Sequence, residues 1–157
     1  MNIQPITEDD LKELYKFLYQ CWSDSYPFME KSLIDSLFSD FPSWQDSFSN
    51  QLLNSPFYAY LMKINGAIVG SVFGEKPYIQ SLYVHKNHRG KGIGKQLCLK
   101  AKSEGANRLF VLEKNTSAQI FYKKMGFEPT GKTKLFVGKY NDLEYELITQ
   151  PLPEIPY

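Results

Sequence analysis

The sequence predicts a mixed α/β domain with a largely antiparallel sheet and one strand–helix–strand crossover. Three observations carry this prediction: an N-terminal third with helical periodicity, a later run of short strands separated by turn residues, and a glycine-rich loop that opens a helix. The chain has 157 residues. A chain of this size can bury about two-thirds of its unfolded surface, so one core is sufficient.

The N-terminal third is predicted to form one strand and three helices. Residues 3–6 make a short apolar strand, and Thr7 follows as the N-cap of a helix whose first turn carries the acids 8–10. The second helix spans 29–38, and the third begins at Pro42. Each helix repeats apolar residues on one face: Leu11, Leu14, Tyr15 and Leu18 in the first, Leu33, Ile34, Leu37 and Phe38 in the second, and Trp44, Phe48 and Leu52 in the third.

The middle of the chain is predicted to form a hairpin followed by a third strand. Residues 57–64 and 67–73 have the composition of paired strands, and Asn65-Gly66 between them is typical of a type I′ turn. Residues 78–84 form the next predicted strand, which leads into the glycine-rich loop.

The last part of the chain returns to alternating helices and strands. The predicted elements are a helix, a strand, a helix and two strands, at about 93–104, 109–112, 118–125, 134–139 and 143–149. Gly105 and Gly126 end the two helices, and Thr116 or Ser117 can cap the second one. Asn141-Asp142 is predicted to join the last two strands, and the proline-containing tail is predicted to be irregular.

Charge and cysteine content exclude several classes of protein. A net charge of +1 excludes a generally polybasic nucleic-acid binder, and no apolar run approaches the roughly 18 residues of a membrane span. Cys21 and Cys98 are too few for a disulfide framework or a zinc site, and His85 and His88 have no carboxylate or cysteine at ligand spacing. The N-terminus lacks the pattern of a signal peptide. We therefore expect a cytoplasmic protein with no metal centre, no nucleic-acid partner and no membrane association.

The near-neutral total conceals an uneven distribution of charge. Residues 1–57 hold three basic against nine acidic residues, whereas residues 58–157 hold fifteen basic against eight acidic ones. Cations gather in and after the loop at 85–95 (HKNHRGKGIGK): Lys86, Arg89, Lys91, Lys95, Lys100 and Lys102. Glycines let backbone amides approach a ligand, and a helix N-terminus favours phosphate. We interpret the loop as a pyrophosphate cradle with cations for a further phosphate.

Two common phosphate-binding patterns do not fit this loop. A P-loop requires Ser or Thr where this chain has Gln96. The dinucleotide fingerprint is Gly-x-Gly-x-x-Gly. If it starts at Gly90, its third glycine falls on Lys95, and if it starts at Gly92, on Leu97, so neither register fits. The pattern that fits the loop is Arg89-x-x-Gly92-x-Gly94.

This pattern resembles the acetyl-CoA loop of the GCN5-related N-acetyltransferase (GNAT) family, which reads Arg/Gln-x-x-Gly-x-Gly/Ala between the fourth strand and the third helix. The preceding residues 79–84 (IQSLYV) are similar to the fourth strand of that family. A second block, 115–127 (NTSAQIFYKKMGF), resembles its Asn-x-x-Ala-x-x-Phe-Tyr-x-x-x-Gly-Phe segment. The resemblance covers 57–149 well, whereas 7–55 match only the variable helical region of the family.

The resemblance implies a single N-acetyltransferase domain over 1–157 with the GNAT fold, a mixed, mostly antiparallel sheet of about seven strands flanked by helices. Residues 57–149 would form the core that binds acetyl-CoA as cosubstrate, and 7–55 the variable helices on the acceptor side. The implied reaction transfers an acetyl group to a primary amine of a small molecule or peptide, by direct attack in a ternary complex. Three questions stay open: which amine is the acceptor, whether the donor carries a longer acyl group than acetyl, and whether the protein forms a homodimer.

The resemblance also implies roles for individual residues. The backbone of Leu82, Tyr83 and Val84 would pair with the pantetheine arm, which Asn115 would contact. The loop amides would hold the pyrophosphate: Arg89, Gly90, Lys91, Gly92, Ile93, Gly94 and Lys95. Tyr122 would be the general acid that protonates the departing thiolate. Glu75, just before the fourth strand, is the candidate general base. Other members carry a glutamate on the fifth strand, where this chain has Phe110. Deprotonation of the amine by an ordered water is therefore the alternative to a base at Glu75.

Each assignment has a simpler alternative. The loop could be a solvated basic turn, and Tyr122 shares its helix with apolar residues and could pack in the core. Asn115 could be a turn residue near a helix cap, and Glu75 a solvated charge in a turn. For the whole chain, the alternative is a non-catalytic acyl-CoA-binding or regulatory module on the same fold, without an acceptor pocket.

Overall fold

The computed structural model describes residues 2–54 and 56–148. The chain divides into two compact units, Met1–Ala106 and Asn107–Tyr157. Thr149, at the end of the last predicted strand, and the tail that follows lie outside the described residues. No helix within the described ranges combines the length and the apolar character needed to span a bilayer.

The helices in the N-terminal part of the first unit match the three that were predicted. After a 3-10 turn at Glu8–Asp10, α1 spans Leu11–Ser25, α2 spans Lys31–Leu37 and α3 spans Phe41–Leu52. Side-chain carboxylates define the start of the 3-10 turn and the start of α3. Thr7 N–H donates to Asp10 Oδ2 at 2.9 Å, and Ser43 N–H donates to Asp40 Oδ1 at 3.1 Å. Such bonds satisfy amides that a helix start leaves without a partner.

The described part of the first unit contains the strands β1 Ile3–Pro5, β2 Phe57–Ile64, β3 Ala67–Glu75, β4 Tyr78–Ile79 and β5 Ser81–Val84. All of them except β4 form one antiparallel sheet. In the sheet, β1, β2, β3 and β5 are adjacent in that order. The predicted hairpin between β2 and β3 is confirmed, because Asn65 has φ 51° and Gly66 has φ 80°, as a type I′ turn requires.

Apolar residues of α1, α3 and the sheet form the core of the first unit. It contains Leu11, Leu14, Phe17, Leu18 and Cys21 of α1, Phe48 of α3, and Ala59, Leu61 and Ile68 of the sheet. A further helix, α4 Ile93–Ser103, packs closely against β3. A Cβ at Gly70 would lie 2.9 Å from side-chain atoms of both Ile93 and Leu97, so glycine permits this close approach.

One predicted strand is interrupted in the structure. The prediction of a continuous strand over 78–84 is wrong, because β4 ends at Ile79 and β5 begins at Ser81. Gln80 lies between them, exposed, and its N–H donates to Phe73 O at 3.1 Å. On the facing strand, Gly74 lies so close that a Cβ there would be 2.3 Å from Tyr78 O. The break therefore depends on the neighbouring strand and cannot be detected in the interrupted segment alone.

The second unit combines one helix with three antiparallel strands in its described part. These are β6 Arg108–Leu112, α5 Thr116–Lys124, β7 Phe127–Val137 and β8 Tyr140–Leu147. Both β6 and β7 pair with β8. Its buried side chains include Leu109, Val111, Tyr122, Phe127 and Tyr145.

Three predicted details of the second unit are wrong. The N-cap of α5 is Asn115 rather than Thr116 or Ser117, because Ala118 N–H donates to Asn115 Oδ1 at 3.2 Å. The last hairpin turns around Gly138, with φ 55°, whereas Asn141-Asp142 lies inside β8, and β7 begins at Phe127 rather than at 134. Glycine adopts positive φ at little cost, and this preference overrides the turn propensity of Asn and Asp.

Asp142 is a buried carboxylate whose replacement should stabilise the protein. It is 6% exposed on β8, opposite Lys134 of β7. Burial raises the pKa of this carboxyl, and Lys134 acts in the opposite direction. The folded state therefore binds a proton at Asp142 more readily than the unfolded state, so the contribution of this group to stability is greatest at low pH and is lost as pH rises through the folded pKa. Asp142→Asn should gain about 1 kcal/mol of unfolding free energy at pH 7.

Denaturant unfolding of wild type and Asp142→Asn between pH 3.5 and pH 7.5 tests this expectation. The advantage of the variant should shrink as pH falls, because the wild-type carboxyl then becomes neutral as well. The exposed acid Asp46 of α3 provides the control substitution, Asp46→Asn. A variant at Asp142 that is less stable than wild type at pH 7 contradicts the expectation.

Candidate functional site

The first part of the candidate site is β5, which is the last strand of its sheet within the described first unit. His85 N–H donates to Val69 O at 2.8 Å, and Tyr83 lies opposite Ser71. The alternation of an antiparallel ladder then turns the backbone of Tyr83 towards β3 and the backbone of Leu82 and Val84 towards the outer edge. Two of the three residues predicted to pair with an extended ligand therefore direct their backbone away from the sheet.

The chain leaves β5 through a short 3-10 turn at Lys86–His88. His85 caps this turn, since its Nδ1 accepts a hydrogen bond from Asn87 N–H at 3.1 Å. Arg89 Nε–H reaches back across the turn to Val84 O at 3.2 Å. The arginine of the loop pattern is thus fixed to the end of the strand that precedes it.

Two glycines carry the chain from the turn into α4. Gly90 has φ 78° and Gly92 has φ 83°, a backbone region that side chains with a Cβ rarely adopt. A Cβ at either position would meet no atom within 4 Å, so conformation rather than space requires glycine in the free protein. Gly92 is the N-cap of α4, and no described side chain caps this helix start. The first amides of α4 are therefore available to an anion, and the helix dipole favours it.

The surroundings of these amides are positively charged and open to solvent. Arg89, Lys91 and Lys95 are exposed, whereas Ile93 is 1% exposed and anchors the first turn of α4 in the core. Lys86 lies 3.8 Å from the carboxylate of Asp24 in α1. The start of α4, with three exposed cations around it, is suited to bind the two negative charges of a pyrophosphate.

The second unit contains two more of the predicted site residues. Asn115 caps α5 through its Oδ1, as described above. Tyr122 is 8% exposed, and its ring packs edge-on against Phe127 with centroids 5.9 Å apart. Tyr122 therefore contributes to the core, as the simpler alternative expects. A core position for the ring does not conflict with a chemical role for the hydroxyl group, which stays a prediction.

Glu75, the candidate general base, is the last residue of β3 and is exposed. It pairs with Phe57 of β2, two residues beyond Phe73, the last residue of β3 that pairs with β5. Phe110 lies on β6 opposite Glu144, a carboxylate that is 4% exposed and accepts from Thr130 at 2.9 Å. The structure thus places Glu75 at a strand end rather than inside a turn, and its role as base stays a prediction.

Both cysteines are free and buried. Burial raises the pKa of the Cys21 thiol to about 12 and that of the Cys98 thiol to about 11, so neither provides a thiolate at neutral pH. Among residues 2–54 and 56–148, no three His, Cys, Asp or Glu side chains cluster as metal ligands.

Sequence reasoning missed three consecutive residues at the end of α1. Asp24, Ser25 and Tyr26 each reach a residue of β5 or of the loop that follows it. No motif or periodicity indicates these contacts, because the partners are far apart in the sequence and the three residues belong to the variable helical region.

Comparison with known proteins agrees with this geometry. Residues 55–129 match the family model described as acetyltransferase (GNAT) domain. These 75 residues have the sequence of a GNAT domain. The matched range contains β5, the glycine loop and α5, which are the segments that carry the resemblance in the sequence. The resemblance to the GNAT family, stated from those two blocks, is confirmed.

A curated GNAT-type relative is similar to part of the chain. Peptidyl-lysine N-acetyltransferase YjaB of Salmonella typhimurium is 37% identical over 68 residues, which are 43% of this chain and 47% of that protein. The match therefore spans about half the length of that relative.

Solved GNAT structures are similar over nearly the whole chain. PaiA N-acetyltransferase from Thermoplasma acidophilum, in complex with coenzyme A, has a TM-score of 0.73 at 20% identity and covers 92% of this chain and 98% of its own. The apo form of YjaB from Escherichia coli has a TM-score of 0.71 at 21% identity, and the match covers 95% of this chain and 98% of that protein. At these identities the likeness concerns the fold, and the predicted GNAT fold is confirmed.

Proposed function

We propose that this protein is an N-acetyltransferase that moves the acetyl group of acetyl-CoA to a primary amine. The observation that carries the proposal is the start of α4, where two glycines with positive φ present helix-terminal amides among exposed cations. Such a site accepts a pyrophosphate without a metal ion. The coenzyme A bound to the structurally similar PaiA supports the same class of cofactor.

In this proposal, the two ends of the cofactor meet different parts of the first unit. The pyrophosphate accepts hydrogen bonds from amides between Arg89 and Lys95, and the exposed cations balance its charge. The pantetheine arm pairs in an extended form with the outward backbone of Leu82 and Val84, as an added strand would. The contact of Asn115 with this arm, which the resemblance implies, stays a prediction.

The proposed chemistry is a direct acyl transfer. The amine nitrogen attacks the thioester carbon, a C–N bond forms, and the C–S bond breaks to release the CoA thiolate. Tyr122 gives its phenolic proton to that thiolate, for which a phenol is a suitable donor. The amine loses a proton to Glu75 or to an ordered water.

The acceptor in this proposal is a cationic amine on a small molecule or a peptide. The excess of acids over bases in residues 1–57 favours a positively charged partner. The activity named for the relative from Salmonella typhimurium, acetylation of peptidyl lysine, is one example of such an acceptor.

Two measurements test the proposed function. Isothermal titration with acetyl-CoA should give a binding isotherm that CoA competes, whereas an absence of heat at micromolar protein would reject the proposal. A colorimetric assay of CoA thiol release should then show turnover with at least one member of a panel of polyamines, amino acids, lysine peptides and aminoglycosides. Binding without turnover across the whole panel would favour the non-catalytic acyl-CoA-binding module.

A further inference from the structure

The end of α1 is joined to the cofactor segment by side chains of three consecutive residues. Asp24 Oδ1 lies 3.8 Å from Lys86 Nζ, Ser25 Oγ accepts from Arg89 Nη2–H at 3.2 Å, and the hydroxyls of Tyr26 and Tyr83 are 2.6 Å apart. All of these residues belong to the first unit. The three contacts differ in chemistry, and this difference decides what each can do.

The contact between Ser25 and Arg89 fixes a cation without neutralising it. The guanidinium of Arg89 donates through Nε to Val84 O at 3.2 Å and through Nη2 to Ser25 Oγ. Both acceptors are uncharged, so the full positive charge stays available to an anion. A guanidinium has five N–H donors, and two such bonds leave three of them for phosphate oxygens.

An exposed arginine that is already held loses less freedom when a ligand binds. Ordering a free arginine side chain costs rotamer entropy, which opposes binding. Arg89 is exposed, but its two hydrogen bonds order the side chain before the cofactor arrives. This preorganisation lowers the cost of binding rather than adding a contact.

The other two contacts have different roles. Asp24 and Lys86 form a solvent-accessible ion pair, which contributes little to stability, and the carboxylate itself repels a phosphate. Tyr26 is 6% exposed and packs edge-on against Trp22 at 4.9 Å, so its bond to Tyr83 holds the end of α1 beside β5. Tyr26 thereby keeps the neighbouring Ser25 within reach of Arg89.

We propose that Ser25 is a positioning residue that holds the guanidinium of Arg89 ready for the pyrophosphate of the cofactor. The inference rests on the proposed binding of acetyl-CoA and adds a residue outside the matched family segment of 55–129. The bond holds a side chain whose immobilisation would otherwise oppose binding, so Ser25→Ala should weaken acetyl-CoA binding about threefold to tenfold.

A double-mutant cycle on acetyl-CoA affinity tests this role without requiring the acceptor. Isothermal titration compares wild type, Ser25→Ala, Arg89→Met and the double variant. If Ser25 acts through Arg89, Ser25→Ala weakens binding in the wild-type background and has no further effect beside Arg89→Met. Ser25→Thr retains the hydroxyl and should restore affinity. Ser23→Ala makes the same change at an exposed serine of α1 and should bind like wild type.

The outcomes separate this inference from the proposed function. If wild type does not bind acetyl-CoA, the proposed function itself fails. If wild type binds and Ser25→Ala binds equally well, Ser25 has no positioning role. If Ser25→Ala weakens binding as much beside Arg89→Met as alone, Ser25 acts by another route, and the inference is wrong. Thermal melts of all variants show whether a loss of affinity is due to unfolding.

Discussion

Replacement of Tyr122 by phenylalanine is expected to lower kcat by about a hundredfold or more. In the proposed mechanism the departing thiolate then lacks its proton donor, whereas the aromatic ring that packs against Phe127 is retained. Because the phenol acts on the leaving group and not on the bound phosphates, the Kd for acetyl-CoA should stay within about twofold of the wild-type value. Steady-state thiol release at saturating acetyl-CoA, with the acceptor found in the amine panel, gives the comparison.

Tyr145→Phe is the matched control for this substitution. Tyr145 is 1% exposed in the same unit, and its hydroxyl donates to Gln119 of α5 at 3.2 Å. Its variant therefore removes a buried hydroxyl that supports the same helix but has no proposed chemical role. If both variants lose the same activity, disturbed packing of α5 explains the loss. If Tyr122→Phe keeps its full rate, Tyr122 is not the general acid.

Gly92→Ala is expected to weaken acetyl-CoA binding about tenfold. An L-residue held at positive φ costs about 1–2 kcal/mol, and the loop can relieve this strain by turning its amides away from the phosphate position. The loss should appear in Kd rather than in kcat at saturating cofactor, because Gly92 lies where we propose that the phosphates bind. Titration with acetyl-CoA measures the change directly.

Gly66→Ala separates loss of function from backbone strain. Gly66 has φ 80°, close to the 83° of Gly92, and a Cβ would meet no atom within 4 Å at either position. Both variants should therefore lose similar stability, while only Gly92→Ala loses affinity. Equal affinities for the two variants would show that the conformation at Gly92 does not matter for the cofactor.

Features encoded by neighbouring residues were predictable from the sequence. Asn65-Gly66 between two apolar runs specifies the β2–β3 hairpin because both residues accept positive φ. The glycines of the loop and the basic residues around them indicate a phosphate site for the same reason, since the requirement is local. The start of α4 at Ile93 also follows from this local pattern.

Features that depend on distant partners were not predictable. The break at Gln80 depends on how closely β3 approaches at Gly74. The cap of α5 by Asn115 was missed because three successive residues, 115–117, can all accept a bond from a helix amide, and only the geometry selects one. Ser25 gives no signal in the sequence, since its partner Arg89 is 64 residues away. A single serine near the end of a helix is not distinguishable from a surface residue.

The burial of the two cysteines has a practical consequence for the assay of this protein. A reagent that reports CoA release by reaction with thiols attacks thiolates that it can reach. Cys21 and Cys98 are 2% and 0% exposed, and burial keeps both protonated at neutral pH. Colour in such an assay therefore comes from released CoA while the enzyme is folded. When no acetyl-CoA is present, the rate at which the same reagent reacts with the protein measures unfolding. The two thiols become accessible only after the first unit opens.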